Sequence, residues 1–175
     1  VNGAETNFEL QQVSPTLLNV NVIMGDIHTS NKNMEEDDFT RLSLPNFHIS
    51  QAEGAPELPE IHKLIEIPQH ASPRIEIINS NYKDFYLSEL GLESTIYPAQ
   101  PSVSKSQNID EIPFIINDEI YSKETFINNK LISVNLEGQL RAVRIANINI
   151  QPVDYNPSEG ILRVYTDLEI NIHMD

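Results

Sequence analysis

The chain has 175 residues, which is enough for one domain with a substantial core, because about 70% of the unfolded surface is buried at this size. Its 11 Lys and Arg residues stand against 26 Asp and Glu residues, and 11 − 26 gives a formal net charge of -15. This acidity argues against nucleic acid as a partner, because binding a phosphate backbone needs clustered cations. Cysteine is absent from the sequence, which excludes disulfides, thiolate metal sites and cysteine nucleophiles within it.

The chain opens VNGAE, without an initiator methionine, which suits an excised segment or a mature product whose export signal has been removed. No run approaches the roughly 18 apolar residues of a membrane span, so no membrane insertion is expected.

Alternation of apolar and polar residues predicts half-buried strands along most of the chain. In LLNVNVIMG, four apolar side chains share one face: Leu18, Val20, Val22 and Met24. PRIEIIN places Ile75 and Ile77 on one face, and LISVNLEG does the same for Ile132, Val134 and Leu136. Each segment is typical of an antiparallel strand with one face on a core.

The longest alternation is ILRVYTDLEINIHM, in which every second residue is suited to a buried face: Leu162, Val164, Thr166, Leu168, Ile170 and Ile172. Another long strand is predicted in AVRIANINIQPVDY, just before it. The connecting NPSEG holds turn formers, so the two predict a hairpin near the C terminus. NYKDFYLSELG, residues 81–91, is the one helical candidate, and a short one.

These segments predict an all-β fold, an antiparallel β-sandwich of jelly-roll-like type with long loops and little helix. We expect a single domain over residues 1–175. TSNKNMEEDDFTRL is predicted to be a polar loop or strand edge, and SQAEGAPELPEIH a connection interrupted by prolines.

The sequence contains no convincing catalytic, metal or cofactor site. The run Glu35, Glu36, Asp37 and Asp38 lacks the spacing of a calcium loop and fits a solvated loop better. The five histidines are dispersed without an HExxH pair, and no GxSxG elbow, phosphate-binding glycine loop or Asn-x-Ser/Thr acceptor occurs. We therefore expect a non-catalytic segment without cofactor or metal.

One loop stands out between the strands, QPSVSKSQNIDEIPF, which runs from Gln100 to Phe114 and shows no alternation. It holds a single lysine, Lys105, between Ser104 and Ser106. Prolines in and beside it stiffen the backbone, at positions 98, 101 and 113. From these residues alone, Lys105 fits an ordinary exposed lysine on a mobile loop.

Three segments resemble the N-terminal prodomains of gingipains, the secreted cysteine peptidases of family C25, and most closely those of the lysine-specific members. They are APELPEIHKLIEIP, YPAQPSVSKSQNIDEIPF and LRAVRIANINIQPVDYNPSEGILRVYTDLEINI. The resemblance runs from about residue 42 to residue 172 and weakens toward the N terminus, where the role of the first 40 residues is not assigned.

The resemblance implies an all-β prodomain that keeps its peptidase latent during export, and a second implied role is assistance with folding. The catalytic domain would follow after Asp175, and would be the cognate partner. The implied itinerary uses type IX secretion, through the periplasm to the cell surface, and the implied enzyme is a virulence factor of lysine specificity.

Within this resemblance Lys105 corresponds to the residue that fills the primary specificity pocket of the peptidase. Ser104 and Ser106 would flank it, and Asp110 and Glu111 would contact cations at the rim of the cleft. Two other functions stay open at this point. One is a cell-surface module for adhesion or carbohydrate binding, which the absence of Trp disfavours; the other is a prodomain that only assists folding or export.

Overall fold

The computed structural model describes residues 3–34 and 36–175, and these form eleven strands and three short helices. The strands are β1 (Asn7–Ser14), β2 (Leu17–Ile23), β3 (His28–Asn33), β4 (Asp38–Ser43), β5 (His48–Ile49), β6 (Pro59–Ile67), β7 (Arg74–Tyr86), β8 (Ile132–Leu140), β9 (Val143–Ile150), β10 (Val153–Asn156) and β11 (Ile161–His173). The helices are α1 (Asp118–Tyr121) and two 3-10 turns, Ser88–Leu90 and Ile109–Glu111.

β11 is the centre of a five-stranded antiparallel sheet. Along one edge β11 pairs with β10 and then with β2, which in turn pairs with β1. Along its other edge β11 pairs with β7 over its whole length. A four-stranded antiparallel sheet has the order β5-β6-β9-β8, and β3 pairs with β4 in a separate hairpin. The predicted all-β antiparallel sandwich is confirmed.

The main apolar cluster lies between the two larger sheets, where alternate residues of both sheets interdigitate. Its members come from β2, β6, β8, β9 and β11, and include Val20, Ile61, Ile148, Ile170 and Ile172. A second apolar cluster lies beside it. It consists of Leu42, Leu58, Leu87, Ile96, Val153, Tyr155, Leu162 and Val164. The predicted inward face of β11 is confirmed at Leu162, Val164, Leu168, Ile170 and Ile172, which are buried. Thr166, predicted on the same face, is only partly buried and lies at the register shift between Tyr165 and Asp167.

Two predicted core residues are exposed because they lie on edge strands. Ile77 stands opposite the buried Ile170 in the ladder, yet 46% of it is exposed. Leu136 stands opposite the buried Ala146, and 57% of it is exposed. Both side chains point to the correct face, but β7 and β8 border their sheets, so the facing sheet does not cover these positions.

The predicted helix at residues 81–91 is wrong. Residues up to Tyr86 continue β7 as partners of β11, and only Ser88–Leu90 form a 3-10 turn. The helical spacing of its apolar residues is outweighed by the 12 ladder pairs between β7 and β11, of which Tyr86↔Ile161 is the last. Tertiary pairing of this kind overrides weak local propensity.

The long strand predicted in AVRIANINIQPVDY is two strands in different sheets. β9 ends at Ile150, and β10 begins at Val153 after Pro152, which has no backbone N–H for a ladder. The predicted C-terminal hairpin is therefore β10 and β11, closed by Asn156↔Ile161.

The acidic segment predicted as a polar loop or strand edge is the β3–β4 hairpin. Its turn includes Glu36 and Asp37, Asp38 begins β4, and Glu35 lies outside the described residues.

Candidate functional site

The loop from Gln100 to Phe114 leaves the domain from a firmly held segment, residues 94–99. On one side Thr40 of β4 exchanges backbone hydrogen bonds with this segment, donating to Thr95 at 2.9 Å and accepting from Tyr97 at 2.9 Å. On the other side Glu57 donates its backbone N–H to Tyr97 at 2.9 Å. The departure point is thus paired along both of its edges.

Two tyrosines, the buried Tyr155 and the half-buried Tyr121, hold the same segment through their hydroxyl groups. The hydroxyl of Tyr155 donates to the carbonyl of Ser94 at 2.6 Å, and the hydroxyl of Tyr121 donates to the carbonyl of Ile96. Burial raises the pKa of both hydroxyls, that of Tyr155 to about 12. Both hydroxyls are therefore protonated donors at neutral pH.

The aromatic residue that ends the loop packs on this base. The ring of Phe114 lies 5.7 Å from that of Phe39 and 6.0 Å from that of Tyr97, and the latter two meet edge to face at 5.7 Å. The guanidinium of Arg41 lies 4.8 Å from the centre of the Tyr97 ring and donates to both carboxylate oxygens of the buried Glu57, at 3.0 and 3.1 Å.

The returning chain is held on Gly54. The backbone N–H of Asn117 donates to the carbonyl of Gly54 at 2.9 Å, and Gly54 donates to the carbonyl of Ala99 at 2.7 Å. The side chain of Asn117 then caps α1, accepting from the N–H groups of Glu119 and Ile120. Gly54 therefore holds the chain both where it enters the loop, at Ala99, and where it returns from the loop, at Asn117.

Lys105 lies at the tip of the loop, in a turn closed by a 3.0 Å bond from the N–H of Gln107 to the carbonyl of Ser104. The side chain of Gln107 accepts the N–H of Ser104 at 3.1 Å, which closes the turn a second time. The hydroxyls of Ser104 and Ser106 lie 3.1 Å apart. Lys105 is the first central residue of this turn, a position from which its side chain projects away from the closing bonds.

The tip is exposed from residue 102 to residue 111. In the described part of the chain no carboxylate forms an ion pair with Lys105. Two apolar side chains beside it are also exposed, Val103 at 44% and Ile109 at 73%. Sequence reasoning missed them; the available signal was a pair of aliphatic residues in a segment without strand alternation.

Asp110 and Glu111 lie on the 3-10 turn that follows the tip, and both are exposed. Asn108 caps this turn, since its side chain accepts from the N–H of Asp110 at 3.4 Å and donates to the carboxylate of Glu111 at 3.4 Å. The structure therefore brings these carboxylates onto the same exposed loop as Lys105. Their contact with cations at a cleft rim stays a prediction.

Other polar groups come together away from the loop. His48 and His62 lie 5.2 Å apart, and His62 is hydrogen-bonded to Glu60, although these residues are dispersed in the sequence. Over residues 3–34 and 36–175, no group of three or more His, Asp or Glu side chains is arranged to hold a metal ion. None of the helices in the same ranges is long and apolar enough to span a bilayer.

Aromatic residues are grouped on the outer face of the five-stranded sheet. Arg163 of β11 lies between two rings, 4.0 Å from the centre of Tyr82 and 4.1 Å from that of Phe126, and is bonded twice to Asp84 at 2.8 and 2.9 Å. The guanidinium covers one face of each ring, where a sugar ring would otherwise stack. This arrangement ties the segment that carries Phe126 onto β7.

Comparison with known proteins places these features in a family. Residues 11–175 match the model of the Propeptide_C25 family. The chain is 33% identical to Lys-gingipain of Porphyromonas gingivalis over 134 residues, which are 77% of this chain and 8% of that protein. It therefore spans only a small part of this relative's length.

Two solved structures share the fold. The first, determined to explain the zymogenic latency of gingipain K from Porphyromonas gingivalis, superposes with a TM-score of 0.86 at 26% identity, over 100% of this chain and 96% of that one. The second is a complex of the pro- and mature domains of RgpB from the same organism, with a TM-score of 0.82 at 18% identity over 96% and 85% of the two chains.

Proposed function

The chain belongs to the Propeptide_C25 family and is a non-catalytic segment of a gingipain-type peptidase precursor, and from this premise we propose that it keeps its peptidase latent by inserting Lys105 into the specificity pocket. The partner in this proposal is the catalytic domain of the same precursor. Such a pairing exists in RgpB, whose pro- and mature domains form a complex.

The observation that carries the proposal is the position of Lys105, with its charge exposed at the tip of the loop. Its ammonium group has no ion-pair partner among the described residues, and it stands on an exposed turn whose base is fixed. The other five lysines also form no ion pair within the described residues, so what sets Lys105 apart is its place at the tip of a loop whose base is fixed. The exposed Val103 and Ile109 would cover the mouth of a pocket and so add apolar burial to the contact.

Lysine suits this task because its four methylenes pack along an apolar wall while the ammonium meets an acidic group at the base of the pocket. If that charge pair is fully desolvated, truncating one partner costs about 2 to 5 kcal/mol. We expect Lys105→Ala to weaken inhibition by roughly 30-fold to several thousandfold.

The remaining parts of the proposal concern the precursor. Residues 1–175 form one prodomain, the catalytic domain follows it, and the product is exported through the periplasm to the cell surface. The net charge of -15 favours a more basic face on the catalytic domain and would raise the rate of association more than the lifetime of the complex. Asp110 and Glu111, on the exposed loop, contact cations at the cleft rim.

The test is a titration of this domain against its own mature peptidase and against gingipains of Lys and Arg preference. We expect submicromolar inhibition of the Lys-preferring enzymes, weakened by at least about 30-fold in Lys105→Ala. Lys130→Ala, which removes an exposed lysine outside the loop, is the matched control and should inhibit like the wild type. Lys105→Arg should shift inhibition toward the Arg-preferring enzymes.

A loss below about threefold in Lys105→Ala would reject insertion into the pocket, since that is under 1 kcal/mol. If the domain inhibits none of these enzymes but raises the yield of active peptidase during refolding, its role is folding assistance alone. If it does neither, the adhesion or carbohydrate-binding alternative gains weight.

A further inference from the structure

The two ends of the loop are joined by one side chain. The amide nitrogen of Gln100 donates to the carbonyl of Ile115 at 2.7 Å, and the amide oxygen of Gln100 accepts the N–H of Ile115 at 3.0 Å. This exchange of two hydrogen bonds reproduces a hydrogen-bonded residue pair of an antiparallel ladder, with a side chain in place of one backbone. We call it the Gln100 clamp.

A carboxamide is the group that this geometry requires. It offers one donor and one acceptor in a single plane, which match the carbonyl and the N–H of one residue. A glutamate of the same shape would keep the acceptor for the Ile115 N–H but set a second carboxylate oxygen against the Ile115 carbonyl. An asparagine is shorter by one methylene and would not reach both groups.

The clamp lies at the boundary between the fixed and the exposed parts of the loop. Ala99, just before Gln100, accepts from Gly54 at 2.7 Å and donates to Ala55 at 2.8 Å. Asn117, just after the clamp, is bonded to Gly54. Beyond the clamp, residues 102–111 are all exposed. The hydrogen bonds of the tip, from Ser104 to Glu111, join residues of the tip to one another.

The clamp is separate from the core of the domain. Gln100 is half-buried and belongs to neither apolar cluster. Removing the clamp should leave the sandwich folded, because both clusters are made of other residues. The cost would appear in the loop, which would then be held at its base by the Gly54 bonds to Ala99 and Asn117 without the clamp, so that its tip would sample more conformations.

We propose that Gln100 is a positioning residue that fixes the shape in which Lys105 is presented, an inference that rests on the proposed inhibitory function. A loop held in its bound shape loses less entropy on docking, so it binds more tightly. The same rigidity would keep the Lys105–Ser106 peptide bond away from the geometry needed for attack, since hydrolysis requires the reacting atoms to be closely aligned. With the clamp in place, the loop would thus bind as an inhibitor and resist cleavage as a substrate.

The test compares Gln100→Glu with Gln11→Glu, which makes the same change of charge at an exposed residue of β1. In the isolated domain we expect both variants to unfold at the same denaturant concentration. Hydrogen exchange at the Ile115 amide should accelerate in Gln100→Glu only, because repulsion between the carboxylate and the Ile115 carbonyl loosens the acceptor that this amide donates to.

The decisive measurement uses the mature Lys-preferring peptidase. We expect Gln100→Glu to weaken inhibition on the order of tenfold and to speed hydrolysis of the Lys105–Ser106 bond, followed by mass spectrometry. Lys105→Ala should instead lose both inhibition and cleavage at this site. General destabilisation would also weaken binding and speed proteolysis, but it would lower the unfolding midpoint and expose other lysyl bonds, whereas loss of the clamp should speed cleavage at Lys105–Ser106 alone.

The failures of the two proposals are distinguishable. If Lys105→Ala loses inhibition while Gln100→Glu inhibits and is cleaved like Gln11→Glu, Gln100 has no positioning role and insertion of Lys105 stands. If Lys105→Ala inhibits like the wild type, insertion fails and the positioning role fails with it. Should Gln100→Glu not fold, Gln100→Ala removes both hydrogen bonds of the clamp without adding a charge and is judged by the same cleavage and exchange criteria.

Discussion

Gly54 offers a test of how firmly the domain holds its loop. Its φ is +77°, in the left-handed region, and a Cβ added to it would lie 3.0 Å from the backbone nitrogen of Asn117 and 3.2 Å from Cγ2 of Ile115. Gly91 shares this conformation, with φ +71°, but a Cβ there would meet nothing within 4 Å. An alanine at Gly91 would therefore introduce backbone strain alone, whereas an alanine at Gly54 would introduce the same strain and also crowd Ile115 and Asn117.

The expected magnitudes follow from these distances. Alanine in the left-handed region costs about 1–2 kcal/mol at either position, part of which the stiffer unfolded chain offsets. At Gly54 the returning chain must also move by a few tenths of an ångström, which weakens the Asn117–Gly54 hydrogen bond, worth about 1 kcal/mol. We expect Gly54→Ala to lower the free energy of unfolding by about 2–3 kcal/mol and Gly91→Ala by about 1 kcal/mol.

Urea unfolding of both variants measures these costs, and inhibition of the Lys-preferring peptidase measures their effect on the loop. Gly54→Ala should weaken inhibition, because the displaced residues are Ile115 and Asn117, whereas Gly91→Ala should inhibit like the wild type. Equal losses of stability in the two variants, with unchanged inhibition in both, would refute the view that Gly54 supports the loop.

Two further predictions concern stability. Tyr155→Phe removes the donor to the Ser94 carbonyl and should lower the free energy of unfolding by about 1–2 kcal/mol, against less than about 0.5 kcal/mol for Tyr86→Phe at an exposed position. The hydrogen bonds from Arg163 lower the pKa of Asp84. This pair therefore stabilises the folded state at pH values above the unfolded pKa of about 3.8, and its contribution is lost as the pH falls through the lower pKa of the folded state. Because 34% of the Asp84 side chain is exposed, Asp84→Asn should cost about 1 kcal/mol at pH 7 in thermal unfolding, a difference that shrinks as the pH falls through the lowered pKa of the folded state.

Alternation predicted the faces of the strands well, because a side-chain period of two is fixed by the backbone itself. It did not predict how deeply each face is covered, as Ile77 and Leu136 illustrate. Coverage depends on which strands border a sheet, and that order is set by long-range pairing. β7 and β11, which pair over their whole length, are separated by all of β8, β9 and β10.

The position of Lys105 on an exposed loop was predicted from the sequence, but the support of that loop was not. Gln100 has no local signal, since a glutamine beside prolines is ordinary in a loop and its partner Ile115 is 15 residues away. Gly54 is likewise one glycine in a Pro-interrupted connection until its φ and its neighbours are known. A contact that joins distant segments through a single polar side chain produces no repeating pattern in the sequence, so periodicity cannot predict it.

The division between base and tip suits an inhibitor of a lysine-recognising peptidase. Any contact between the Lys105 side chain and its own domain would have to be broken on docking, and the free energy of that contact would be lost from the binding free energy. The order of the tip must therefore come from elsewhere, and here it comes from the Gln100 clamp, from Gly54 and from the short turn between Ser104 and Gln107. None of these bonds involves the lysine side chain, so under the proposed insertion they would persist when the tip entered a pocket. The domain can thus hold the loop rigid while leaving its ammonium group free for the partner.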